Sequence, residues 1–314
     1  MKRLLIFLAL LLAGTSVIGQ AQNPSDVIHW QLMMPGVDYS HVIEGSMDLH
    51  VVRIDLTNPD LKIVSSRESD AGTRVSDFAK RTHAVVAING DYFDKAFRPI
   101  GLAIGPCGPW LQSKDTSREG VVAFGTKRAE IHAQSEVMDP PEDWVAAAVS
   151  GWPMLVRDCH ALTSAELPGS DSFTRSTHAR TAVGETKDGT TFYFVVADGG
   201  RPDTPGLTLG QLAAFLSGTL DACAAINLDG GGSSAMWVSD RIVNRPSDGT
   251  ERPVGDHLAV VTADEQIACD PDTEQRSGNA LLAASAKAAA ENNAKATITV
   301  TTPGPQSTST APRQ

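Results

Sequence analysis

Short apolar runs that end in polar, glycine-containing loops recur along this chain, and this pattern limits the possible folds most. It occurs in INGDYFD at 88–94, VADGGRPD at 196–203 and INLDGGGSS at 226–234. Apolar runs of this length beside Gly, Asn and Asp are typical of β-strands. A tight turn needs one or two glycines, whereas three in succession let backbone amides approach another group closely. The pattern therefore predicts strands whose polar ends converge on one site.

Strand-length segments clearly outnumber helical ones. A short helix is predicted at 75–82, capped by Thr73 or Ser76, and a longer one at 208–220, opened by Thr208. The predicted fold class is α+β, a single domain around a mixed, mostly antiparallel β-sheet with a few helices. Strands are predicted at 48–56, 61–66, 84–90, 120–124, 144–149, 180–186, 191–197, 224–228, 235–238 and 258–263.

The two ends of the chain differ in character from its middle. A basic start, the apolar run LLIFLALLLAG and small residues after it predict a signal peptide over 1–21. An uncleaved anchor is less favoured because the apolar run is short for a bilayer. Residues 271–314 have the composition of an Ala-rich segment and a disordered tail. The functional domain is therefore expected over 26–270, in a secreted or periplasmic protein.

Charge excludes one class of partner, and cysteine content indicates disulfides. The net charge of −11, without a basic cluster, argues against binding nucleic acid or an anionic membrane. No integral membrane segment is expected after signal cleavage. The four cysteines form no C-x-x-C pair, so an exported chain is expected to carry disulfides with three alternative pairings. We favour Cys107 with Cys159 and Cys223 with Cys269.

Common catalytic signatures are absent from the sequence. There is no G-x-S-x-G around Ser233 or Ser234, and no H-E-x-x-H. The glycine run lacks the GK[ST] ending of a P-loop and precedes a strand. These absences leave the carboxylate-containing loops as the main candidates for chemistry.

Five segments, in order, resemble the phosphodiester glycosidase family. The hallmark NLDGGGSS is present at 227–234, and AINGDYFD at 87–94 resembles another family motif. THARTAVGE carries Ala179 where the family has proline, and VADGGRPDTPGLTLGQLAAFL carries an extra glycine before Arg201. ERPVGDHLAVV resembles the closing segment, so that the resemblance covers residues 45 to 262.

The resemblance implies hydrolysis of a sugar-1-phosphodiester at the anomeric carbon, in a glycan or glycan-phosphate. Glycosidases generally use two carboxyl groups. A phosphomonoester leaves readily because its second pKa is about 6, so holding its charge matters more than protonating it. Guanidinium groups and backbone amides of the glycine run suit that task. Two alternatives remain open: a hydrolase of ordinary glycosidic bonds in exopolysaccharide, and a non-catalytic carbohydrate-binding protein.

Candidate site residues follow from these loops. Asp229 is the first choice for a catalytic carboxylate and Asp91 the second, although Asp229 in an Asx turn is the structural alternative. No cofactor is expected, with a divalent cation at Asp91, Asp198 and Asp229 as an alternative. Trp110, Trp152 and Trp237 are candidates for sugar stacking or for core packing. The predicted substrate-binding residues are Asn89, His178, Arg180, Asp198, Arg201, Asn227, Gly230, Gly231, Gly232 and Ser233.

Overall fold

A computed structural model describes residues 28–269 of the 314-residue chain, apart from 112, 116–119, 137 and 139–140. The predicted signal peptide and the predicted tail at 271–314 lie outside the described residues. Among the helices that are described, none has the length and apolar character needed to span a membrane.

Strands dominate the described part of the chain, and its three α-helices are α1 (Val75–Arg81), α2 (Asp171–Thr174) and α3 (Leu209–Gly218). The strands, in chain order, are β1 (Gln31–Met34), β2 (Val37–Glu44), β3 (Met47–Asp55), β4 (Leu61–Ser65), β5 (Val86–Asn89), β6 (Ile104–Gly105), β7 (Gly108–Pro109), β8 (Gly120–Gly125), β9 (Arg128–His132), β10 (Ala147–Gly151), β11 (Met154–Arg157), β12 (His160–Ala161), β13 (Arg180–Thr186), β14 (Thr191–Ala197), β15 (Ala222–Asn227), β16 (Met236–Val238), β17 (Arg241–Ile242) and β18 (His257–Thr262).

The described strands form three sheets. The large sheet has eight strands in the order β1-β2-β3-β14-β13-β15-β11-β12, and the two smaller sheets are β7-β6-β10-β8-β9 and β17-β16-β5-β18-β4. Every pairing between these strands is antiparallel. The predicted α+β class with mostly antiparallel strands is confirmed, although the strands are divided among three sheets.

The central core lies where the three sheets face one another. Phe124 of β8 packs edge-on against Phe192 of β14, and Phe192 packs in the same way against Phe194. The outer face of the large sheet is covered by α3, while α1 packs on the sheet that contains β5. Burial on both faces explains why these strands are continuous apolar runs.

The helix starts test the predicted caps. Thr208 caps α3 as predicted: its hydroxyl accepts from the Gln211 amide at 3.2 Å, and the Gln211 side chain accepts from the Thr208 amide at 3.0 Å. The predicted cap of α1 is wrong. The Thr73 hydroxyl donates to the Asp70 carbonyl instead, and the Ser76 amide is satisfied by the Glu251 carboxylate at 2.9 Å. A residue distant in sequence therefore replaces the local cap.

The disulfide pairing differs from the one favoured above. Cys107 pairs with Cys269, and Cys159 pairs with Cys223. Cys159 and Cys223 are brought together because β11 and β15 are neighbours, and the Cys159 amide donates to the Cys223 carbonyl at 2.8 Å. Cys107 lies in the turn between β6 and β7, which the chain approaches again after β18. Sheet order determines the Cys159–Cys223 pair.

Candidate functional site

Three of the predicted polar segments meet at one end of the large sheet. In this sheet β13 lies between β14 and β15, with Arg180 opposite Ala197 and Ala182 opposite Asn227. Because the pairings are antiparallel, the start of β13 is level with the ends of both neighbours. The segments that contain Arg180, Asp198 and Asp229 are therefore adjacent.

The end of β5, in another sheet, joins this cluster through direct hydrogen bonds. The Asn89 side chain donates to the Asp229 carbonyl at 2.7 Å, and the Asp229 amide donates to the Gly90 carbonyl at 3.1 Å. The Asn89 oxygen accepts from the Thr181 hydroxyl at 2.8 Å. Asn89 is fully buried, so these contacts position Asp229; its direct binding to substrate stays a prediction.

Asp91 lies beside a carboxyl group that the sequence reasoning missed, Asp256. The Asp91 amide donates to Asp256 Oδ1 at 2.6 Å, and the Ser150 amide donates to Asp91 Oδ1. Burial raises the pKa of Asp256 to about 7, and the nearby Asp229 charge adds to this increase. The signal available in the sequence was a carboxylate directly before the apolar run of β18.

Burial and polar interactions change the pKa of the Asp229 carboxyl in opposite directions. Burial raises its pKa, while hydrogen bonds from the Ser233 hydroxyl and the Gly230 amide, and the charge of Arg252, oppose that increase. The Gly230 amide donates to Asp229 Oδ1 at 2.9 Å. This hydrogen bond from the Gly230 amide is the one expected for an Asx turn, the structural alternative predicted for Asp229. The hydrogen bond from Ser233 and the charge of Arg252 go beyond a turn.

The three glycines differ in what they provide. The Gly231 amide donates to the Ala179 carbonyl at 2.8 Å, so together with that of Gly230 two of the three amides already serve the protein. From the sequence, the amides of the glycine run are expected to hold the phosphate. The amides of Gly230 and Gly231 instead donate to protein acceptors. Gly231 has φ +60°, and a Cβ added there meets no atom within 4 Å. A Cβ at Gly232 instead collides with the side chains of Asp248 and Arg252.

Arg252 is a second residue missed by the sequence reasoning. Its guanidinium pairs with Asp248 at 2.6 Å and donates to the Ser233 hydroxyl at 3.4 Å. It thus supports the glycine turn, and its charge lowers the pKa of Asp229. Its segment, ERPVG, resembles a family motif, but its sequence alone does not indicate this supporting role.

Arg180 is buried and bound by carbonyl groups. Its guanidinium donates to the carbonyls of Leu207 at 3.1 Å, Phe173 at 2.6 Å and Ser176 at 3.1 Å. In the described part of the chain no carboxylate lies within 4 Å of it, in contrast to Arg252. Burial lowers the pKa of Arg180 to about 10. This cation lacks a counter-ion among the described residues.

Asp198 and Arg201 form a separate network beside the cluster. Asp198 accepts from the Arg245 amide at 2.8 Å and from the Asn244 side chain at 3.3 Å, and Arg201 lies 3.5 Å away. Burial acts to raise the pKa of Asp198, but the nearby His50 imidazole and the hydrogen bond from the Arg245 amide leave it below its usual value. The loop adjoins the cluster, while this carboxylate is engaged by protein groups. Arg201 and Asp198 as substrate ligands stay predictions.

The cation alternative at Asp91, Asp198 and Asp229 also stays a prediction. Within the described ranges, the carboxylate oxygens of these three residues do not all lie within 4.8 Å of one another.

The side chains of the remaining candidates differ in how far they are buried. His178 is exposed, with Nε2 3.0 Å from the Ser172 carbonyl. The Asn227 side chain is buried and donates to the Tyr92 hydroxyl at 2.6 Å and to the Trp152 carbonyl at 2.9 Å. Trp152 is partly exposed and stacks on Phe173 at a centroid distance of 5.2 Å.

The other two tryptophans are core residues. Trp110 is 5% exposed, and its indole donates to the Ser66 carbonyl at 3.1 Å. Trp237 is 4% exposed within the cluster under α1. Of the three candidates for sugar stacking, only Trp152 keeps an accessible surface.

Comparison with known proteins places this geometry in a family. A curated relative from Bacillus subtilis (strain 168), the SPbeta prophage-derived protein YomE, is 30% identical over 212 residues, covering 64% of this chain and 31% of its own length. The N-acetylglucosamine-1-phosphodiester alpha-N-acetylglucosaminidase of Mus musculus is 33% identical over 139 residues, covering 41% and 26%. The chain thus spans about a third or less of the length of these relatives.

Solved structures share the fold. The zebrafish N-acetylglucosamine-1-phosphodiester alpha-N-acetylglucosaminidase catalytic domain, auto-inhibited by its pro-peptide, has a TM-score of 0.58 at 21% identity, covering 74% of this chain and 83% of that one. A putative exported protein of Burkholderia pseudomallei K96243 has a TM-score of 0.55 at 16% identity, with coverages of 72% and 74%.

The family model for phosphodiester glycosidases matches residues 82–261 and so includes Asp91, Arg180, Asp229 and Asp256. Because this match covers more than half of the 314 residues, the chain belongs to the phosphodiester glycosidase family.

Proposed function

We propose that the protein hydrolyses the anomeric C–O bond of a sugar-1-phosphodiester in a glycan or glycan-phosphate. The observation that carries this proposal is the buried Arg180, which has carbonyl partners but no described carboxylate within 4 Å and begins the strand next to Asp229. A buried cation without an anionic partner is costly, and a phosphate group supplies the opposite charge. Guanidinium groups also match phosphate oxygens in geometry.

In the proposed reaction, water attacks the anomeric carbon while its bond to the phosphate oxygen breaks. The electron pair of that bond stays on the phosphate oxygen, and Asp229 accepts a proton from the water. The products are the free sugar and a phosphomonoester, whose second pKa of about 6 makes protonation of the leaving oxygen a minor requirement. Arg180 stabilises the charge of the departing phosphate.

Hydrolysis of ordinary glycosidic bonds is the second candidate, and a specific observation favours it. An alkoxide leaving group needs a proton, and the buried pair of Asp91 and Asp256 contains a carboxyl group whose pKa is raised. The pKa of about 7 for Asp256 suits a general acid at neutral pH. In this version the pair donates to the leaving oxygen and Asp229 remains the base.

Three substrates offered to the purified protein test the proposal: a sugar-1-phosphodiester, a nitrophenyl glycoside and an intact exopolysaccharide. We expect release of free sugar and phosphomonoester from the first, and no turnover by Asp229→Asn. Turnover of the polysaccharide alone supports the second candidate. Binding without turnover of any of them identifies a carbohydrate-binding protein and overturns both.

We also propose that the mature protein acts outside the cytosol. The predicted signal peptide and the two cysteine pairs support export, because disulfides persist in oxidising compartments. Fractionation of the producing cells, with detection in the periplasm or medium, tests this placement.

A further inference from the structure

A second group of polar side chains lies on β2 and β3, which take no part in the proposed chemistry. His41 and His50 are directly opposite each other, and their rings stack at a centroid distance of 4.4 Å with an interplanar angle of 10°. Asp48 precedes His50 by two residues and so shares its face of the sheet. Asp48 Oδ1 lies 2.6 Å from His41 Nε2 and 3.9 Å from His50 Nε2.

The surroundings of His50 orient its ring. The Tyr39 hydroxyl lies 2.8 Å from His50 Nδ1, at hydrogen-bond distance. Nε2 faces two carboxylates, with Asp48 Oδ1 at 3.9 Å and Asp198 Oδ2 at 3.7 Å, both beyond hydrogen-bond distance. With the proton on Nδ1 and donated to Tyr39, the Nε2 lone pair points between two acids. Metal-binding histidines are commonly oriented in this way by a partner on the other nitrogen.

We propose that His41, Asp48 and His50 bind a divalent transition-metal ion of the zinc type. One ligand atom from each lies within 4.8 Å of the others. Bonds of about 2.0–2.1 Å in tetrahedral geometry separate ligand atoms by about 3.3 Å. The present distances of 2.6 Å and 3.9 Å from Asp48 bracket that value, so small side-chain rotations assemble the site.

The donor set selects the kind of ion. Two imidazoles with one carboxylate suit zinc and similar borderline metals, whereas calcium and magnesium prefer oxygen ligands alone. The His41 side chain is 41% exposed, which gives the ion an entry path and leaves room for water as a fourth ligand. Asp198 supplies a further negative charge beside His50, partly balanced by Arg201.

The consequence is a link between the β2–β3 pair and the loop after β14. The Asp198 amide donates to the Asp48 carbonyl at 2.9 Å, so the metal ligand and the loop are already in contact. An ion at Asp48 therefore stabilises the VADGG loop at the margin of the sheet end described above. Metal binding does not depend on the proposed glycosidase activity.

Zinc titration of the chelator-treated mature protein tests the site, with calorimetry for stoichiometry and thermal unfolding for stabilisation. We expect one ion per chain and a rise in Tm, with cobalt giving the visible absorption of a tetrahedral complex. His41→Ala should weaken binding by at least about 10–100-fold, because a direct ligand matters no less than its outer partners. The change is at an exposed side chain, so folding is preserved and can be checked by Tm without metal.

His160→Ala is the matched control, because His160 is also exposed and lies 3.6 Å from a carboxylate, that of Glu166. It should bind zinc as the wild type does. Absence of stoichiometric binding by the wild type, or equal affinities for the wild type and His41→Ala, overturns the proposal.

Discussion

The main-chain amide of Asp91 donates a 2.6 Å hydrogen bond to the carboxyl oxygen of Asp256, a residue 165 positions further along the chain. Burial raises the pKa of the Asp256 carboxyl. A Cβ at Gly90 would collide with that same Asp256 oxygen, so the glycine permits the close approach. The chain therefore keeps two buried carboxyl groups together next to Asp229.

Asp256 makes stability depend on pH in a defined direction. Its pKa is about 7 in the folded chain against an ordinary 3.8, so between these pH values the folded state holds more protons than the unfolded state. Wild-type stability should therefore fall as pH rises through this window, by an amount on the order of a few kcal/mol. Asp256→Asn, which keeps the acceptor for the Asp91 amide, should flatten the slope. Urea unfolding at about pH 5 and about pH 8 measures it; an unchanged slope contradicts the assignment.

Arg180→Lys separates a phosphate ligand from a structural residue. Lysine keeps the charge but loses the planar guanidinium that can donate two parallel hydrogen bonds to a phosphate. The kcat/KM for a sugar-1-phosphodiester should therefore fall about 10²-fold, as when one oriented donor is lost. A phosphate-free nitrophenyl glycoside should lose much less. Arg53→Lys is the control, because Arg53 pairs with Asp38 at 2.8 Å and is not a candidate site residue. Equal losses on both substrates would assign Arg180 a folding role through its three carbonyl contacts.

How much of this was predictable depends on which contacts are local. The strands at 180–186 and 191–197 were predicted at their observed bounds because each is a short run rich in apolar and β-branched residues bounded by polar loops. β2 was missed since VDYSHVIE mixes charged and aromatic residues near a sheet edge. Asp256 was missed because it precedes its strand, and only the pairing of β18 with β5 brings it to Asp91.

Ser233→Ala should move the acid limb of the pH–rate profile to higher pH. Burial already raises the pKa of Asp229, and the Ser233 hydroxyl opposes this by hydrogen-bonding to the carboxylate. Removing the hydroxyl raises the pKa further, so the ionised base appears only at higher pH. The measurement is kcat/KM against pH for wild type and variant. A limb that stays in place, or moves to lower pH, rules out Asp229 as the titrating base.

Gly231→Ala tests whether the glycine run keeps space open for substrate. Gly231 has φ +60° and a Cβ there meets no protein atom, so the substitution costs only backbone strain of about 1–2 kcal/mol. If substrate occupies that space, kcat/KM should fall by about 10²-fold through misplacement of the sugar or phosphate.

Gly189→Ala is the matched control, because Gly189 has φ +66° and equally open surroundings in the turn between β13 and β14. The two variants should lose similar stability in thermal unfolding, while only Gly231→Ala loses activity. If both keep full activity, the glycines serve the turn alone, and Asp229 has to be judged by its own substitution.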